Sequence, residues 1–256
     1  MMLKSHTGGW FLFFLAAIFP GAHLQRNDNS ITPASDSEPP TAASMTYQPV
    51  LQPSEAVPPT GTYTLNDPSG RPCIKATMGV EYVVFEKKTW YFNLDPSRVK
   101  ATGYCTNGDA VLSLTLPDNG ASLQLTFKKD KKSFYITKMS AHLLPHPVCK
   151  SCTNKTYSGV MDHEKLFKTA NGRSFNCKSE SLLLMSSQLK IKLVPLQMQA
   201  FEVPKGQYGK EMECWADFNK RVIPIIIGAM VVGLILIALM TFLIIRDRRR
   251  QGYDRL

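Results

Sequence analysis

The chain has 256 residues, 44% of them hydrophobic and 20% charged, with 30 Lys and Arg against 20 Asp and Glu for a formal net charge of +10. That length admits one domain of ordinary size plus a linker once the terminal segments are set aside. A basic balance raises nucleic acid as a partner, but the topology read below keeps most of the chain out of the cytosol and nucleus and excludes it; Lys128-Lys129-Asp130-Lys131-Lys132 reads instead as a solvated hairpin tip.

Residues 1–22 read as a secretory signal peptide. Lys4 gives a weakly positive start, and residues 10–19 form an apolar core too short to cross a bilayer. Residues 23–62 hold Pro33, Pro39, Pro40, Pro49, Pro53, Pro58 and Pro59 among Ser and Thr, without periodicity. Such a segment does not bury enough apolar surface to offset its ordering entropy, and it reads as an O-glycosylated stalk or a plain disordered leader.

Residues 63–215 change to short alternating runs. Residues 79–85 and 89–94 are strand-like. Leu112, Leu114 and Leu116 share one face before the turn Asp118-Asn119-Gly120, and Leu123, Leu125 and Phe127 repeat the pattern. Ser133-Phe134-Tyr135-Ile136-Thr137 then completes an antiparallel meander. Later, Leu189, Ile191 and Leu193 alternate with Lys190 and Lys192; Pro195 interrupts, and Leu196, Met198 and Ala200 continue. Only residues 161–169 admit a turn or two of helix. The pattern predicts one all-β domain with one face of each sheet buried.

The six cysteines, at 73, 105, 149, 152, 177 and 214, all fall in this region. An even count in a secreted segment implies disulfides, with connectivity open. His142, His146, Cys149 and Cys152 have ligand types that suit tetrahedral zinc, and Cys-x-x-Cys is also a redox spacing. Pro145 and Pro147 place them in a loop, where an oxidising pathway favours a local Cys149–Cys152 disulfide. Asn154-Lys155-Thr156 is an N-glycosylation sequon in a polar loop. His163-Glu164 lacks the second histidine of a metalloprotease helix, and no Gly-x-Ser-x-Gly elbow, phosphate-cradling loop or paired carboxylates stand out. The sequence gives no reason to expect an enzyme or a cofactor.

Residues 222–245 carry no charge. As a helix they span roughly 36 Å, enough to cross a hydrocarbon core of about 30 Å with some tilt. Pro224 sits in the first turn, where its missing N–H costs little. Arg246, Arg248, Arg249 and Arg250 follow the run, against Lys220 and Arg221 before it, which puts the C-terminus in the cytosol. Residues 246–256 form a tail too short to fold, ending Gly252-Tyr253-Asp254-Arg255-Leu256. Tyrosine followed three positions later by a bulky aliphatic residue is a sorting-signal pattern. The expected readers are clathrin-adaptor medium subunits, which take the peptide as an added strand with pockets for Tyr253 and Leu256, and Gly252 leaves the chain free to extend.

The stretch Ala200-Phe201-Glu202-Val203-Pro204-Lys205-Gly206-Gln207-Tyr208-Gly209-Lys210-Glu211-Met212-Glu213-Cys214 resembles the membrane-proximal signature of the lysosome-associated membrane glycoprotein (LAMP) family. Cys73-Ile74-Lys75-Ala76-Thr77-Met78-Gly79, Ala101-Thr102-Gly103-Tyr104-Cys105, Phe175-Asn176-Cys177-Lys178-Ser179-Glu180 and the short tyrosine tail fit it in the same order. A single domain after a Pro/Thr-rich leader is most similar to the dendritic-cell member. The resemblance implies a β-prism of curved sheets, the pairs Cys73–Cys105 and Cys177–Cys214, a type I single pass in late endosomal and lysosomal membranes, and an antigen-processing compartment. It gives Gly206 and Gly209 a structural reading as positive-φ turns before the cystine. The single sequon and the Cys149/Cys152 pair depart from the family pattern. Two rival readings are a partner-binding module that escorts another membrane protein, and a luminal zinc or thiol-redox protein built on Cys149 and Cys152. Elemental analysis of the purified full chain is expected to find no stoichiometric zinc; one zinc per chain would establish the metal reading instead.

Overall fold

The computed structural model describes residues 48–147 and 154–253, with backbone alone at 118, 163, 164 and 250–253. The expected signal peptide, the stalk up to residue 47, Cys149, Cys152 and Leu256 lie outside the described residues.

In chain order the strands are β1 (Thr60–Asn66), β2 (Pro72–Phe85), β3 (Thr89–Asn93), β4 (Lys100–Cys105), β5 (Asp109–Thr115), β6 (Ala121–Lys129), β7 (Ser133–Leu143), β8 (Tyr157–Ala170), β9 (Ser174–Cys177), β10 (Ser181–Ser186), β11 (Leu189–Ala200) and β12 (Glu211–Glu213), followed by one helix, α1 (Trp215–Tyr253). The expected meander is the middle of a five-stranded antiparallel sheet, β4-β5-β6-β7-β8. Its apolar rows point one way: Leu112 and Leu114 of β5, Leu123, Leu125 and Phe127 of β6, and Phe134, Ile136, Met139, Ala141 and Leu143 of β7 are all buried. The Asp118-Asn119-Gly120 turn forms on a short 3₁₀ segment, Pro117–Asn119, and the lysine run caps the β6–β7 hairpin.

The second sheet is built on two long antiparallel strands, β2 and β11. The first half of β2 pairs with β1 and its second half with β3, while the two halves of β11 pair with β10 and then β9, which carries β12 in parallel. The halves divide at a register shift between Leu193 and Leu196. Pro195 has no N–H to give the ladder, and a bulge there bends the strand. Gly79 lies opposite, where a Cβ would collide with the Val194 carbonyl. The two halves and the five-stranded sheet make the walls of a prism. Its interior is filled by Ile74, Met78, Tyr82, Ile191, Leu193, Leu196 and Met198 against the rows of the meander.

Three expectations are corrected. Pro224, expected in the first turn, lies inside α1, because the helix begins at Trp215. Residues 161–169 are not helical but the second half of β8, whose alternation is broken by register shifts opposite β7 and by Phe167 at φ 53°. Residues 48–62, expected to belong to the stalk, pack on the domain. Pro49, Leu51 and Pro58 are buried, Gln52 exchanges backbone hydrogen bonds with Tyr91, and β1 begins at Thr60. This strap crosses the outer face of β2, β3 and β11 and changes the chemistry there. Lys192, which alternates with the apolar positions of β11, is 5% exposed, and its cross-strand partner Glu81 is 0% exposed. The Lys192 ammonium sits between the carboxylates of Glu81 and Glu55 of the strap, and Glu81 also accepts the Ala56 N–H at 3.3 Å.

Removing one partner from a buried pair strands the other charge. Lys192→Met is therefore expected to lower unfolding free energy by about 3–5 kcal/mol, read from denaturant titration. Lys155→Met, which breaks the half-exposed Lys155–Glu86 pair, should cost at most about 1 kcal/mol. Equal costs would contradict the burial argument.

Candidate functional site

Among the described residues, α1 is the one helix long and apolar enough to cross a membrane; its most apolar stretch has a mean hydropathy of 3.0, and none of that stretch packs against the domain. Its side chains face outward along the whole run, with Ile225, Leu234, Ile237 and Phe242 all more than half exposed. Such a surface is stable only in lipid, where the helix keeps every backbone polar group bonded within itself. The 39 residues extend about 58 Å. The helix runs past the arginines, and its backbone stays helical through Gly252 and Tyr253.

The junction between sheet and helix has no linker. β12 ends at Glu213, Cys214 is bonded to Cys177 of β9, and α1 begins at Trp215. The Asp217 carboxylate accepts the backbone N–H groups of Lys178 at 2.6 Å and Ser179 at 2.9 Å. Arg221, one turn further on, donates to Glu213 at 2.6 Å.

The loop before this junction is tied down by the 200–214 signature. The Lys75 ammonium donates to the Gly206 carbonyl at 2.8 Å and stands over the Tyr208 ring. The Tyr208 hydroxyl donates to Thr77 Oγ1 at 2.8 Å, and burial pushes its pKa up to about 12 despite that contact. Gly209 donates its N–H to Gln199 Oε1 at 2.7 Å. Gly206 has the expected positive φ, 69°. Gly209 does not; it is glycine because a Cβ would collide with the Gly172 carbonyl, a close approach rather than a turn. Positive φ falls instead on Phe201 and Lys205, which the sequence does not flag.

Cys73 of β2 is bonded to Cys105 at the end of β4, with Cα atoms 6.4 Å apart, so this cystine joins the two sheets. The Cys177–Cys214 bond, with Cα atoms 5.1 Å apart, joins sheet to membrane helix. The bonded positions are 32 and 37 residues apart, each worth about 3–4 kcal/mol in the chain-entropy model. His142 is half-buried on β7 and His146 is exposed beyond it, while Cys149 and Cys152 lie outside the described residues. Cys177, Cys214 and Asp217 converge closely enough to suggest a metal site, but both sulfurs are spent in the disulfide. The recess beside Cys73 is lined by Asp67, Arg71, Phe201, Glu202 and Lys205, with Asp67 paired to Arg71 and Glu202 to Lys129. Asn154 is exposed just before β8.

Residues 48–215 match the family model for the luminal domains of lysosome-associated membrane glycoprotein 2-like proteins. The chain belongs to the lysosome-associated membrane glycoprotein family. It is 36% identical to human lysosome-associated membrane glycoprotein 3 over 219 residues, 84% of this chain and 50% of the relative. To mouse lysosome-associated membrane glycoprotein 2 it is 28% identical over 200 residues, 76% of this chain and 46% of the relative. The crystal structure of human LAMP-3 (DC-LAMP) superposes with a TM-score of 0.55 at 36% identity, covering 61% of this chain and 99% of that one. The membrane-proximal domain of mouse LAMP-1 matches in fold, with a TM-score of 0.54 at 21% identity over 62% of this chain and 99% of that one. The chain spans about half the length of the curated relatives it matches. The two-sheet body is thus a LAMP luminal domain on a membrane helix, and the protein is a lysosomal membrane glycoprotein by family.

The surface carboxylates bear on the acid such a domain meets. Lys155 and Tyr157, both donating to Glu86, hold its carboxyl below the ordinary 4.5. The Arg71 backbone N–H and guanidinium lower Asp67, and the Ser97 hydroxyl and N–H lower Asp95. A depressed carboxylate contributes stability that is fully present above its unfolded pKa and is lost as pH falls through the folded one. The thermal midpoint is therefore expected to hold from neutral pH into the ordinary carboxylate range and to drop in stronger acid. Glu86→Gln should flatten part of the drop below pH 4.5; a drop of unchanged steepness would remove Glu86 from the account.

Proposed function

We propose that this chain is a type I structural and trafficking glycoprotein of late endosomal and lysosomal membranes, delivered by its tail. The observation that carries the reading is the order of segments along α1: a braced domain, an apolar run, a block of arginines, then Gly252 and Tyr253. The arginines favour the cytosolic face, which places the tyrosine where clathrin-adaptor medium subunits meet it. Tyr253 and Leu256 fill the two pockets of an added strand. Reading the tail as a strand requires the last turn of α1 to unwind, and Gly252 is the residue where a helix gives way with the smallest loss. On the luminal side, the exposed Asn154 carries the N-glycan. The prism resists proteolysis because both of its described cystines lock long-range neighbours together.

A second role, holding a membrane-protein client for sorting, has one observation in its favour. Leu182 and Leu184 stand more than half exposed on β10, a strand whose ladder partner among the described residues is β11.

The test is imaging of the chain tagged on the luminal side, which leaves the tail native. Tyr253→Ala is expected to raise the cell-surface fraction several-fold with luminal folding unchanged. Lysosomal delivery of that variant at the wild-type level would refute the tail assignment.

A further inference from the structure

The first two turns of α1 carry a feature that neither anchoring nor sorting uses. Trp215 and Phe218 stack face to face, with ring centroids 5.6 Å apart and planes 22° apart, yet they are 74% and 39% exposed. Within the domain the aromatic rings of Tyr82, Phe127 and Phe134 are fully buried, whereas Tyr104, Leu182 and Leu184 share the exposure of the stack. The face that carries the stack is fixed by what the neighbouring face does. At about 100° per residue, positions 214, 217 and 221 share one arc of the helix, and 215, 218 and 222 share the next. The first arc is pinned by the Cys177–Cys214 bond, by Asp217 to the Lys178 and Ser179 N–H groups, and by Arg221 to Glu213. Three pins on one arc deny the helix rotation relative to β9 and β12. The stack therefore has a set direction and a set height. Phe218 lies roughly 6 Å and Trp215 roughly 10 Å above the start of the apolar run at Val222. The headgroup layer beyond each side of the hydrocarbon core is about 5–8 Å deep, so Phe218 falls within it and Trp215 at its outer edge. Lys220 stands in the same layer, where its stem lies along lipid and its charge reaches phosphate.

We propose that the Trp215–Phe218 stack is a lipid-contact surface, seated in the headgroup layer on the domain's side of the membrane, and that the three pins hold the luminal domain at one height and attitude on the bilayer. The occupant is argued from continuity. The stack sits on the same helix as the apolar run and reaches from within the headgroup layer to its outer edge, and an amphipathic indole with its polar N–H is a side chain that favours the membrane–water interface.

The experiment uses the full chain with Trp10→Phe and Trp90→Phe, so that Trp215 is the reporter, in phosphatidylcholine vesicles. A nitroxide on the choline headgroup is expected to quench its fluorescence several-fold more than a nitroxide at the acyl-chain terminus, and aqueous iodide is expected to quench it weakly. Strong iodide quenching with no lipid quenching would place the stack in water, or on protein in the case of protection from both, and either result overturns the proposal. Asp217→Ala and Arg221→Gln, each removing one pin, are expected to raise iodide access and reduce the contrast between the two lipid probes. Arg221 is mostly exposed and its partner Glu213 ends the short strand β12, so Arg221→Gln reports on the pin even where Asp217→Ala disturbs folding. A probe profile unchanged in Arg221→Gln would overturn the clamp.

Discussion

Lipid tolerates no unpaired backbone group, so a chain that leaves a β domain for a membrane must change its hydrogen-bonding scheme at one point. Here that point is Cys214. Up to Glu213 the backbone is paired with β9, and from Trp215 the bonds run along α1. Both schemes meet at a cystine that is itself bonded into the sheet. The constraint explains why polar anchors crowd the junction. The last strand is short, the helix starts at once, and Asp217 serves N–H groups that the β9–β10 loop would otherwise leave without partners.

The 200–214 signature is architecture in service of that junction. Lys75, Thr77 and Gln199 reach from β2 and β11 to hold residues 206–209, and Gly209 lets the loop pass close under Gly172. These contacts steer the chain from the end of β11 to β12 in the parallel register that delivers Cys214 to Cys177. A motif near the membrane is thus explained by backbone routing, with no chemistry asked of it.

The sequence made the meander legible because period-two alternation is a local signal. Leu112 to Phe127 needed only their own neighbours to be read. The strap was not legible, because Glu55 and Lys192 are 137 positions apart and only the fold brings them together. With no view of the strap, the alternation of Lys190 and Lys192 with Leu189, Ile191 and Leu193 gives no sign of a buried ion pair. β8 was misread because its bulges and Phe167 break the alternation that marks a strand. The cystine pairing followed from family resemblance and not from spacing, and the close approach at Gly209 leaves no trace in the pattern of residue types. The membrane helix was the clearest element of all, since an uncharged run of that length has few other physical uses.

A single anchor with the prism on the luminal side and the arginine-rich end in the cytosol is the claim that everything functional rests on. Protease added to sealed lysosomes tests it most directly, with antibodies to the two ends as the readout. The account predicts that the tail epitope disappears while the cystine-braced domain survives until detergent is added. Loss of the domain with the tail protected would contradict it.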